Sequence, residues 1–89
     1  MRFLLDQFMD YLALERGLSE NTRLGYGHDL REFLAYLSRR GYTSLQQVAR
    51  RDLLDFLLAS KQKGLAAPSL ARRLIAIKVF FGHLAAEGL

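Results

Sequence analysis

Eighty-nine residues suffice for one small domain and leave no room for a second core. Hydrophobic residues make up 51% of the chain and charged residues 25%, so it carries enough apolar surface to fold rather than stay disordered. The absence of cysteine excludes disulfides and thiolate metal sites and fits a cytoplasmic protein; no apolar run reaches the roughly 20 residues of a membrane span, so no membrane partner is expected.

The net charge of +4 suits a polyanionic partner, and its distribution sharpens the point. Residues 1–18 hold two basic and three acidic side chains, a net of −1, which leaves eleven basic and six acidic, a net of +5, for residues 19–89. The first segment reads as packing and the remainder as the binding part.

In chain order, a first helix is expected from Arg2 to Arg16, with Leu4, Phe8, Tyr11 and Leu12 on one stripe. Gly17 follows it. Ser19 is a good N-cap for a second helix running to Arg40, with Tyr26, Leu30, Phe33 and Leu37 in step. Thr43 or Ser44 caps a short turn through Val48. The third helix spans Arg51 to Lys63 and carries Leu53, Leu54, Leu57 and Leu58. Pro68 suits the first position of a fourth helix, where its missing N–H costs nothing, and that helix continues to Glu87. Gly17, Gly41, Gly64 and Gly88 each fall just past a helix-like stretch, as C-capping glycines do. With no convincing strand and short connections, the expectation is an all-α, compact four-helix bundle.

The fourth helix is the informative one. At 100° per residue, Leu74, Ile77, Phe81 and Leu84 fall within about 40° of Leu70 and mark the core stripe. Ser69, Arg72, Ala76, Val79 and His83 fall at about 180–260°, a face that is small, basic and nearly free of acid. Small residues beside arginine let a backbone approach a DNA groove while the guanidinium reaches guanine or phosphate. Arg73 and Lys78 flank this face. The second helix offers a weaker version in Arg23, His28 and Arg31, diluted by Asp29 and Glu32. Gly25 and Gly27 inside that helix imply either a close neighbour or a local bend. Arg39-Arg40, Arg50-Arg51 and Lys61 and Lys63 read as solvated ends.

Nothing in the sequence assembles a catalytic centre. His28 and His83 lie on different helices with no zinc-ligand pattern, there is no Gly-rich phosphate loop, and none of Tyr11, Tyr26, Tyr36 and Tyr42 sits in a cationic cluster that would stabilise phosphoryl transfer. No cofactor is expected.

Leu14-Glu15-Arg16-Gly17-Leu18-Ser19-Glu20-Asn21-Thr22, followed by Tyr26, Asp29-Leu30 and Phe33-Leu34, resembles the opening of the tyrosine recombinase (phage integrase) family, with the Xer-type recombinases closest. Arg51-Asp52-Leu53, Ala71-Arg72-Arg73-Leu74, Ala76-Ile77-Lys78, Phe80-Phe81, Leu84 and Glu87-Gly88 extend the likeness over essentially the whole chain. The resemblance implies a SAM-like core-binding domain over residues 1–89, forming half of a clamp on duplex DNA at a recombination half-site. It implies that the second and fourth helices face the major groove, and that the first can contact other recombinase protomers in a synaptic tetramer. The strand-cutting Arg, Lys, His, Arg and Tyr residues would lie in a separate C-terminal catalytic domain, so the chain is expected to be non-catalytic, and monomeric when isolated. The family often has two arginines after the tyrosine matching Tyr26, where this chain has Gly27 and His28; the DNA-facing assignment therefore leans on the fourth helix. The candidate DNA contacts are Ser69, Arg72, Arg73, Lys78, His83, Arg23, His28 and Arg31. The competing reading is a helical protein-interaction module without DNA affinity, docking a partner helix on Ala76, Val79 and Ala85-Ala86. An enzyme in its own right would need a pocket with convergent titratable groups.

Overall fold

The computed structural model describes residues 1–88 and, of Glu15 and Arg16, the backbone alone; Leu89, the last residue of the expected domain, lies outside the described residues. Four α-helices account for most of it, α1 (Arg2–Tyr11), α2 (Glu20–Arg39), α3 (Arg50–Gln62) and α4 (Ala67–Ala86), and no strand occurs among the described residues. The fold is all-α, as expected. Local signals set the ends. α1 passes into a wider π-helical turn, Leu12–Arg16, and stops at Gly17, whose φ of 64° is left-handed. Gly41, Gly64 and Gly88 also have positive φ, so all four glycines cap as the sequence indicates. The Ser19 hydroxyl accepts from the Thr22 backbone N–H at 3.2 Å and opens α2. Of the two candidate caps for the short 3₁₀ turn Leu45–Gln47, Ser44 takes the role, and the Gln47 side chain accepts in return from the Ser44 N–H at 3.0 Å.

The molecule measures 34 × 28 × 17 Å, so its short dimension is two helix layers. Leu5, Phe8 and Leu12 from α1 and its π turn, Leu30, Phe33, Leu34 and Leu37 from α2, Leu45 from the 3₁₀ turn, Phe56 from α3, and Ala76, Ile77, Phe80 and Leu84 from α4 form the core. A run of aromatic contacts threads it: Tyr11 to Phe8 at 6.3 Å, Phe8 to Phe80 at 5.2 Å, Phe80 to Phe81 at 5.7 Å, Phe81 to Phe33 at 6.2 Å, Phe33 to Phe56 at 5.2 Å and Phe56 to Tyr36 at 5.1 Å.

Two helices are rotated from their expected settings. On α3 the buried positions are Asp52, Phe56 and Ser60, while Leu54 and Leu58 stand in solvent. Asp52 can be buried because it is satisfied: it accepts from the Tyr42 hydroxyl at 2.6 Å and from the Ala49 N–H at 2.7 Å. On α4 the buried residues are Arg73, Ala76, Ile77, Phe80 and Leu84, whereas Leu70, Leu74 and Phe81 of the expected stripe are only half-buried. The solvent face is Ala71, Ile75, Lys78, Gly82 and Ala85. The rotation follows from position: α4 packs against α1, α2 and α3, so a broad sector is covered and the large apolar residues mark only one flank.

The Tyr42 and Ala49 hydrogen bonds hold the Asp52 carboxyl below its ordinary value. A carboxyl with a lowered folded-state pKa adds stability that is complete above its unfolded value and lost as the pH falls through the folded one. Thermal melts from neutral pH to below the ordinary aspartate range, about 3.9, should therefore show an acid-side loss that is smaller in Asp52→Asn. Superimposable pH profiles for the two proteins would contradict this.

Candidate nucleic-acid interface

The α2–α4 contact is built around one carboxylate. Asp29 is 0% exposed, and two consecutive arginines of α4 converge on it. Arg72 forks it, Nε donating to Oδ2 at 2.8 Å and Nη2 to Oδ1 at 2.9 Å; Arg73 donates from Nε to Oδ1 at 3.1 Å. Arg73 also donates from Nη1 to the Ser60 hydroxyl at 2.9 Å, and its guanidinium carbon lies 5.2 Å from the centre of the Phe56 ring. Ser60 in turn donates to the Phe56 carbonyl at 2.9 Å. The hydrogen bond to Asp29 raises the Arg72 pKa, keeping that guanidinium charged.

The arginines differ in access. The Arg73 side chain is 7% exposed and the Arg72 side chain 38%. The expectation that Arg73 contacts DNA is corrected: it is a buried tie between α2, α3 and α4. Arg72 keeps solvent contact and lies across Gly25, where an added Cβ would come within 3.1 Å of its Cδ and 3.2 Å of its Nε. This is the close neighbour implied by a glycine within α2. At Gly27 an added Cβ would lie 3.2 Å from Arg31 Nη1 on the same helix and 3.3 Å from Met9 Cε on α1, so a side chain there requires both flexible tips to shift.

Beside Arg72, the open ridge of α2 carries Leu24, His28 and Arg31, spaced four and three residues apart so that they line up. Arg72 lies across Gly25 on one side of this ridge, whereas Arg31 leans toward α1, lining a groove with Met1, Arg2 and Leu5. His28 also lines a groove between α2 and α3 with Glu32, Arg39, Lys63 and, at its side, Arg73. Ser69 is half-buried near the start of α4, and Lys78 is exposed but on the outer face of that helix, turned from Arg72 by about 120° at 100° per residue. His83 packs on α1, 4.5 Å from the Tyr11 ring and 5.4 Å from Phe8. Arg23 is half-buried and donates to the Leu18 carbonyl, closing the α1–α2 turn. The structure therefore leaves Arg72, His28 and Arg31 with solvent access and sets Arg73, Arg23 and His83 to packing roles. Ala76 is 0% exposed, which removes it from any partner-docking surface; Ala85 and Ala86 remain exposed.

Asp29, which in sequence only dilutes the basic face of α2, is instead buried at its contact with α4. Its signal was there: it lies three after Tyr26 and four before Phe33, on the apolar side of α2.

Among the described residues, no helix is long and apolar enough to cross a membrane. The profile of the phage integrase N-terminal SAM-like domain matches residues 5–88. The chain is 46% identical over 80 residues to tyrosine recombinase XerC of Herpetosiphon aurantiacus, covering 90% of this chain and 26% of that protein. It is 36% identical over 89 residues to tyrosine recombinase XerD of Listeria monocytogenes, covering 99% and 30%, and 40% identical over 86 residues to XerD of Pseudomonas aeruginosa, covering 97% and 28%. No solved structure matches. The chain thus spans between a quarter and a third of the length of these relatives. Matched along almost its whole length by the domain profile and by the recombinases, the chain belongs to the phage integrase N-terminal SAM-like domain family, as the N-terminal domain of a tyrosine recombinase.

Proposed function

We propose that residues 1–89 are the DNA-binding, non-catalytic half of a recombinase clamp, holding duplex DNA at a recombination half-site while a domain outside this chain cuts and rejoins strands. The observation that carries this reading is the solvent-accessible Arg72, held by a fixed fork at the α2–α4 crossing, with His28 and Arg31 exposed on α2. Arg72 makes a base or phosphate contact. Arg31 and Lys78 add phosphate contacts further out, and Ser69 and His28 approach the backbone. Other protomers of the recombinase are the protein partners, and the isolated domain is a monomer. The names of the relatives, all tyrosine recombinases, support the reading.

The test is fluorescence anisotropy with a labelled random-sequence duplex at two salt concentrations. Binding should fall steeply with salt, as counterion release requires, and Arg72→Ala should weaken binding to a cognate half-site, selected from random sequence, by ~1–3 kcal/mol if Arg72 reads a base edge. Equal loss on selected and random DNA would reduce Arg72 to a phosphate contact. Salt-insensitive association with protein and none with DNA would favour an interaction module.

A further inference from the structure

We propose that Asp29 is a positioning residue for DNA recognition: buried beneath the interface, it holds the Arg72 guanidinium in one orientation and turns its free edge outward. This rests on the DNA-binding reading above. A guanidinium has two edges that can each form a fork. In Arg72 the edge made by Nε and Nη2 is committed to Asp29, at 2.8 and 2.9 Å. The edge made by Nη1 and Nη2 is left, and it has the geometry that recognises two phosphate oxygens or the O6 and N7 of guanine. An unrestrained surface arginine would lose rotamer freedom on reaching such a ligand. Here that freedom is already removed, by the carboxylate on one side and by Gly25, over which the side chain lies.

Arg73 completes the device. A lone Arg72–Asp29 pair would be formally neutral and would attract an anion weakly. With Arg73 donating to the same Oδ1 at 3.1 Å, the three groups sum to +1. Of the three, Arg72 is the one with substantial solvent access, 38% against 7% and 0%. The surplus positive charge therefore meets solvent through Arg72, although Arg73 itself touches no ligand.

The experiment compares the unmodified chain with Arg72→Ala, Arg72→Lys, Asp29→Asn and the Asp29→Asn/Arg72→Ala double variant. Each is checked for helical circular dichroism and a cooperative melt, then titrated against a short labelled random-sequence duplex. Arg72→Ala is expected to weaken binding about tenfold. Arg72→Lys keeps the charge but cannot bridge carboxylate and ligand, so it should lose nearly as much. Folded Asp29→Asn should match Arg72→Ala, and the double variant should be no weaker than either single one, because the two residues act as a unit. The proposal is overturned if folded Asp29→Asn binds like the unmodified chain, if the two losses multiply in the double variant, or if Arg72→Lys binds normally. Normal binding by the lysine variant overturns the proposal even where Asp29→Asn does not fold. Failure of the unmodified chain to bind any duplex overturns the DNA-binding reading itself, and shows before any variant is compared.

Discussion

Asp29→Ala is expected to lower stability by about 3–5 kcal/mol, the range for removing one partner of a buried ion pair. A domain of this length holds roughly 4–13 kcal/mol in all, at ~0.05–0.15 kcal/mol per residue, so the variant should lose between about a quarter and all of its stability. Most of the loss arises at Arg73. Its side chain is 7% exposed and keeps the Ser60 hydroxyl and the Phe56 ring, but no anion. Arg72 can turn toward water and loses less. Arg72→Ala should accordingly be much milder than Asp29→Ala, since it leaves the Asp29–Arg73 pair intact. Urea unfolding followed by circular dichroism measures both. A loss under about 1 kcal/mol for Asp29→Ala, within the range of an ordinary surface pair, would mean that the arginines find other partners and that the α2–α4 contact rests on the apolar core alone.

Ala76→Arg should be as damaging. Ala76 is 0% exposed at the centre of α4, so a long cation there must displace core side chains and bury a charge, the buried Asp29 being already bound by Arg72 and Arg73. Overpacking contributes ~1–3 kcal/mol and the unpaired charge several more, so the chain should lose its cooperative melt. Ala85→Arg, on the exposed part of the same helix, is the control and should change stability by less than about 0.5 kcal/mol. A well-folded Ala76→Arg protein would place Ala76 on the surface and restore the partner-docking face to consideration.

These two sites mark where the sequence stopped being legible. Helix number, turn positions and capping glycines could be read because each depends on a few neighbouring residues, such as Ser19 with Thr22 or Ser44 with Gln47. The rotation of α4 could not. Its apolar residues occupy more than one stripe, and which stripe is covered depends on three other helices. Arg73 was misplaced for the same reason: its burial is compensated by Asp29, 44 residues earlier in the chain, and no local pattern around Arg73 announces that carboxylate. Arg72 was legible as a candidate, but its fork was not. The leucines of α3 misled in the opposite direction, since Asp52 and Ser60 could be buried once Tyr42 and Arg73 were in place to satisfy them.

The aromatic run through the core has a spectroscopic consequence. The chain has no tryptophan, so its intrinsic ultraviolet signals come from tyrosine and phenylalanine. Tyr11 and Tyr36 stand at opposite ends of a series of rings drawn from all four helices, one against α1's partner His83 and the other against Phe56. They are native reporters for the two ends of the domain and need no introduced dye. If the bundle melts as a unit, the emission of single-tyrosine variants retaining one or the other should change at the same temperature; separate midpoints would reveal that α1 leaves first.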